Sequence, residues 1–126
     1  MEDQKAEERS SFVGELVDDF SAIYANNFHF EISTWDLKVL LGQLSLVKTP
    51  TIEWHTALTM PWAAAKILSY MLSLNISMYE SNNGKIPIDK NVIPPAPDPP
   101  TGEHDTPQNR AFYDRAILLY QKLLVE

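Results

Sequence analysis

Any acid–base or metal chemistry in this chain would have to begin at three histidines, His29, His55 and His104. His29 lies two residues from Glu31, and Glu53 two residues from His55. In an extended strand that spacing puts both members of a pair on one face. Two His and two Glu on one sheet surface would form an N/O set suited to zinc or another transition metal. In a simple three-stranded meander, however, a strand lies between the pairs. Two steps of ~4.8 Å then hold them about 10 Å apart, too far to share one ion. His29, Glu31, Glu53 and His55 therefore read as a solvated or intersubunit surface, and no metal or cofactor is assigned.

Other reactive patterns are missing from the sequence. Ser33 and Ser45 have no histidine or acid at a spacing that would activate a nucleophile. Asp18 and Asp19 are adjacent, so they point apart in a helix or a strand and do not form a two-carboxylate device. With four glycines in all, there is neither a G-x-G-x-x-G nor a G-x-x-x-x-G-K-[ST] phosphate loop. The chain contains no cysteine, which excludes disulfides and thiolate metal sites. These patterns point away from an enzyme.

Composition narrows the class further. The 126 residues suffice for one domain, and an apolar fraction of 44% is ordinary for a globular chain. A net charge of −7 argues against a phosphate-backbone binder, which needs a basic face. The start, MEDQKAEERSS, has no apolar run resembling a secretory signal, and no stretch approaches the ~18 uninterrupted apolar residues of a membrane span. The expected compartment is the cytoplasm, with neither nucleic acid nor membrane as partner.

The elements follow from periodicity. Residues 1–10 are polar and expected to form a disordered tail. Residues 11–84 carry the main domain. Phe12 to Ile23 mixes apolar and acidic residues and receives no element. Phe28, Phe30 and Ile32 alternate with Asn27, His29 and Glu31, as in a half-buried strand. Ser33-Thr34-Trp35-Asp36 suits a tight turn. Leu37 to Leu44 is a second strand, with Gly42 marking a bulge or a close backbone approach. Val47 to Pro50 is a loop. Ile52, Trp54, Thr56, Leu58 and Met60 alternate in a third strand, which predicts that Trp54 shares a core face with Leu58.

At Pro61 the period changes to 3.6. Proline suits a first helical position, with Thr59 or Met60 left to cap. An inner stripe of Ala64, Ile67, Leu68, Met71, Leu72, Asn75, Met78 and Tyr79 is predicted, with Asn75 buried and hydrogen-bonded. Asn82-Asn83-Gly84 supplies a left-handed stop. The fold class is thus α+β: a three-stranded antiparallel meander followed by a covering helix, β-β-β-α.

Tyr24-Ala25-Asn26, Asp36, Gly42-Gln43, Pro61, Ala65-Lys66, Leu68, Asn75-Ile76, Tyr79-Glu80 and Gly84 together resemble a small prokaryotic family, the domain of unknown function 3467. The resemblance covers about residues 24–84. Before its helix-starting proline the family usually carries Ser or Thr, where this chain has Met60. The resemblance implies the β-β-β-α unit and brings no activity with it.

Seven of the nine prolines fall in the next segment, residues 85–107. Proline fixes φ and removes a donor, so residues 85–106 are expected to be an extended arm of polyproline character. Residues 107–126 then form an amphipathic helix, capped by Thr106 and started by Pro107. Phe112, Ala116, Leu119, Tyr120 and Leu123 line its apolar stripe.

These elements do not cover themselves. The second strand has Leu37, Val39 and Leu41 on one face and Leu40 and Leu44 on the other, whereas one helix covers one face. Trp35 at the hairpin and Trp62 at the helix start either staple those corners or mark contacts. An arm of about 22 residues at ~3.1 Å each spans up to ~65 Å, enough to reach a neighbouring subunit. The expected contact residues are Trp35, Leu40, Leu44, Trp62, Phe112, Leu119, Tyr120 and Leu123. The reading is a non-enzymatic homo-oligomeric interaction or adaptor module, a dimer first, with a second protein engaged through the arm and last helix. The alternatives are a holdase-like chaperone or peptide binder, using Met60, Met71 and Met78 as an adaptable groove, and a metal-dependent site on the sheet.

Overall fold

A computed structural model of the chain describes residues 12–45 and 50–125. The expected tail at 1–10 and most of the loop from Val47 to Pro50 lie outside the described residues. The elements are β1 (Asn27–Ile32), β2 (Asp36–Ser45), β3 (Thr51–Pro61), α1 (Trp62–Asn83) and α2 (Pro107–Val125), with short 3-10 turns at Lys90–Val92 and Gly102–His104. The strands form an antiparallel sheet in the order β1-β2-β3, so the class is α+β. The chain divides into two units, residues 1–67 and 68–126, with the division inside α1.

The first unit is ordered by its register. Phe30 stands opposite Val39 and Val39 opposite Leu58, so these three share a face. Phe28, Ile32, Leu37, Leu41 and Met60 join them. The other face carries His29, Glu31, Lys38, Leu40, Leu44 and Ala57.

Pairing shifts between Leu41 and Gly42: Thr56 faces Leu41, Trp54 faces Gly42, and His55 is left over as a bulge. One extra residue inverts the alternation. Trp54 and Ile52 consequently lie on the face opposite to Leu58, with Leu40 and Leu44. The expectation that Trp54 shares a core face with Leu58 is corrected by this bulge.

Gly42 makes the arrangement possible. A Cβ there would lie 2.7 Å from both the Glu53 carbonyl oxygen and Trp54 Cε3, and 3.1 Å from Ile52 Cγ2. The indole of Trp54 occupies the space a side chain would have filled and reaches His29, two strands away, with ring centroids 6.0 Å apart.

Polar side chains fasten the corners of the sheet. At the β1–β2 turn the Ser33 hydroxyl accepts from the backbone N–H of Trp35 (3.1 Å) and Asp36 (3.0 Å) and donates to the Asp36 carboxylate (3.0 Å). Before β1, the Asn26 N–H donates to the Gly42 carbonyl at 3.0 Å, and its Oδ1 accepts from Leu44 N–H at 3.2 Å. Pro61 closes β3 opposite Asp36, so the helix begins one residue later than the proline rule predicts, at Trp62. The Trp62 indole N–H donates to the Ser33 carbonyl at 2.9 Å, tying the helix start to the hairpin.

α1 ends as expected. Gly84 has φ of +84° and its N–H donates to the Glu80 carbonyl at 2.9 Å. Asn75 is not buried. It is exposed, and its Nδ2 donates back to the Met71 carbonyl at 2.7 Å. A polar side chain on a helix can satisfy itself on the preceding turn, so its place on an apolar stripe does not require burial.

In the second unit the proline-rich segment lies along α2. Pro97 and Pro100 line a cleft with Phe112, Tyr113 and Ala116, while Ile86, Ile88 and Ile93 meet Leu123 and Leu124 at the other end of the helix. The Lys85 ammonium donates to the Val125 carbonyl. The segment is not extended throughout: both 3-10 turns fall in gaps between prolines, the first capped by Asp89, whose carboxylate accepts from Asn91 N–H at 2.8 Å. α2 starts at Pro107 as predicted, and Thr106 Oγ1 accepts from Asn109 N–H at 3.1 Å.

Candidate functional site

The four residues weighed as metal ligands are not brought together. His29 and Glu31 share a face, but the bulge places Glu53, opposite Gln43, on the other. Glu31 pairs instead with Lys38, at 3.6 Å. His55 is held as a backbone clasp. Its Nε2 is 2.9 Å from the Tyr24 carbonyl oxygen, which can only accept, so in the neutral ring Nε2 carries the proton. Nδ1, 2.8 Å from Thr56 Oγ1, then accepts from that hydroxyl. Among the described residues no three His, Asp or Glu side chains converge as a metal site.

What the structure presents instead is apolar surface. Val39, at 8% exposure, is the only buried hydrophobic residue among those described. On its face Phe28, Phe30, Ile32 and Leu58 are exposed, and Leu37, Leu41 and Met60 are half-buried. On the other face Ile52 and Trp54 are exposed. α1 contains no buried residue; Ile67, Met71, Leu72 and Met78 of its predicted inner stripe are all exposed, and Ala64 is half-buried.

The predicted contact residues take different places. Trp35 stands at the hairpin, 83% exposed, whereas Trp62 is committed through its N–H to Ser33. Leu40 is half-buried and Leu44 exposed on the Trp54 face. On α2, Phe112 is exposed beside Pro97 and Pro100, while Tyr120 is half-buried.

Leu119 and Leu123 line a groove of about 530 Å³ together with Ile76, Ile86 and Ile88, and Ser73, Ser77, Glu80 and Lys122 border it. Glu80 is half-buried there, and its carboxylate accepts from the Ile86 N–H at 2.9 Å, which fixes the arm against the end of α1. The sequence signal for this groove was split between two elements. Ile86 and Ile88 sit in the proline-rich segment and belong to no helical stripe.

At the start of α2, Arg110 forms a two-pronged pair with Asp105, Nε to Oδ1 at 3.1 Å and Nη2 to Oδ2 at 2.9 Å. Those hydrogen bonds hold the Asp105 carboxyl below its ordinary range and raise the Arg110 guanidinium. Both side chains remain open to solvent, so the pair acts as a local brace.

The family profile described as "Protein of unknown function (DUF3467)" matches residues 2–88. The chain belongs to the DUF3467 family. The match extends beyond Tyr24–Gly84 at both ends and takes in the whole sheet and α1, while α2 lies outside it. Several residues that carry the likeness now have structural roles: Tyr24 and Asn26 anchor the entry to β1, Asp36 closes the hairpin, Gly42 admits Trp54, and Gly84 ends α1. No curated protein and no solved structure gives a significant match. Among the described residues, no helix is long and apolar enough to cross a membrane.

Proposed function

We propose that this DUF3467 chain is a non-enzymatic module whose function is association, first with a second copy of itself. One observation carries the reading: a sheet face built from Phe28, Phe30, Ile32, Leu37, Val39, Leu41, Leu58 and Met60 has only Val39 buried. Soluble proteins rarely leave so continuous an apolar face in water. A two-fold axis through that face sets like against like, and two such sheets pack at ~10 Å with their side chains interleaved. Each exposed large side chain that becomes covered contributes roughly 1.5–3 kcal/mol of transfer free energy, before the costs of association.

Light scattering on the purified chain at micromolar concentration tests this. The expected mass is twice 14.3 kDa, or 28.6 kDa. Phe30→Glu should move the species to the monomer mass while circular dichroism still reports the sheet, because Phe30 is on an edge strand and exposed. A wild-type chain that stays monomeric removes the reading.

A further inference from the structure

Sheet-on-sheet contact alone is too small for a stable dimer. The apolar part of the face is three strands wide and about five residues long, a flat footprint of roughly 250 Å². Doubled for side-chain relief, it still falls short of the ~800 Å² each partner contributes to a standard interface. A homo-oligomer of this chain needs a second region of contact, and one segment has the composition to supply it.

Residues 12–23 have no regular structure, yet their apolar side chains are among the most exposed in the molecule, with Phe12 at 86%. At 100° per residue, Phe12, Val13, Leu16, Val17, Phe20 and Ile23 fall within an arc of roughly 140°, and Glu15, Asp18 and Asp19 fall outside it. That is an amphipathic helix in sequence, with anchors at i, i+4 and i+8. One turn is already present, where Phe20 N–H donates to the Val17 carbonyl at 3.0 Å. A helix of about 12 residues is marginal in water without a surface to pack on, which explains why the rest is open.

We infer that residues 12–23 fold into a helix on docking into the groove lined by Ile76, Ile86, Ile88, Leu119 and Leu123 of a second copy, so that two chains exchange these segments. Charge selects the groove over the sheet. The segment carries three acids and no base. The apolar sheet face already presents Glu53 and, among the described strand residues, no base. The groove has Lys122 on its border and Lys85 beside it, against Glu80, and the hydrogen bond of Lys85 is to a neutral carbonyl. An apolar helix face laid into an apolar groove, with acids toward a lysine rim, satisfies both surfaces. Reciprocal exchange closes the assembly at two copies. The inference rests on the homo-oligomer reading and supplies the area that reading lacks.

Absence of native cysteine makes site-specific cross-linking clean. One preparation carries Asp19→Cys and another Ser77→Cys; both positions are exposed, Asp19 lies outside the apolar arc and Ser77 on the border of the groove, so neither substitution removes an apolar docking side chain. The two are mixed and treated with a short thiol–thiol cross-linker. The expected product is a covalent species at twice the chain mass, reduced several-fold when Phe20→Asp is added to the first chain. Cross-linking confined to single chains carrying both cysteines overturns the exchange, because the segment then sits on its own chain. No cross-link with the dimer mass retained also overturns it and leaves the homo-oligomer reading standing; a monomeric wild type overturns both. Amide exchange gives an independent readout: residues 15–22 should gain at least about tenfold protection where the dimer forms and lose it on dilution. Protection that never appears counts against the helix.

Discussion

The sheet and the arm–helix region achieve order by different means. In the sheet the face of each β3 residue is set by its register against β2, and a single unpaired residue, His55, inverts the alternation on either side of it. In residues 85–125 the decisive contacts are mostly local: Thr106 caps α2, Asp89 caps the first 3-10 turn, and Arg110 reaches back five residues to Asp105. Long-range order concentrates risk at a few positions, whereas local order spreads it over many small contributions. Both regions leave apolar surface open, so the difference lies in how they are built.

The contrast is most exposed to failure at Gly42. Gly42→Val would drive its side chain into the Glu53 carbonyl and the Trp54 ring, and should cost about 2–3 kcal/mol or more in urea unfolding. A neutral result would mean that the bulge is not what seats Trp54. Next in size is Ser33→Ala, which removes the acceptor for two hairpin N–H groups at once; a loss of about 1–2 kcal/mol is expected in the same assay.

Thr106→Ala probes the local region. Loss of the cap should cost roughly 1 kcal/mol, seen as reduced helical circular dichroism with the sheet signal intact. An equal loss of both signals would show that the two regions unfold as one. The smallest effect belongs to Asp105. Its carboxyl pKa is lowered in the folded chain, so the brace to Arg110 is fully present above the ordinary carboxylate pKa. It is lost as pH falls through the lowered value. Asp105→Asn should flatten that acid-side change in α2 helicity, and a wild-type pH profile identical to the variant's would show that the brace contributes nothing.

The same contrast governs how much was legible in the sequence. Alternation around Phe28, Phe30 and Ile32, the stop at Gly84 and the start of α2 at Thr106-Pro107 follow from nearest-neighbour rules, and the structure agrees with each. Gly42 was legible as a bulge or close approach and proves to be both. Its consequence for Trp54 was not legible, since strict alternation through residues 52–60 hides an inserted residue. Ser33, weighed as a nucleophile, is a hairpin clasp; its partner Asp36 lies in the same turn, but the link to the Trp62 indole joins positions 29 apart. Residues 12–23 mix apolar and acidic residues without a period plain enough to assign an element, and the structure gives them no helix or strand.

By itself the sequence determined the α+β class, the order of strands and helices, the caps and stops, and an excess of apolar side chains over what one meander and its helices can hide. These depend on backbone preferences and periodicities that act over a few residues. Tertiary structure alone decided which face each β3 residue joins, that Glu53 leaves the face of His29 and Glu31, and that Ile86 and Ile88 meet Leu119 and Leu123 across a groove. Those outcomes turn on one shifted hydrogen-bond register and on the path of a proline-bound segment, and no short-range rule fixes either.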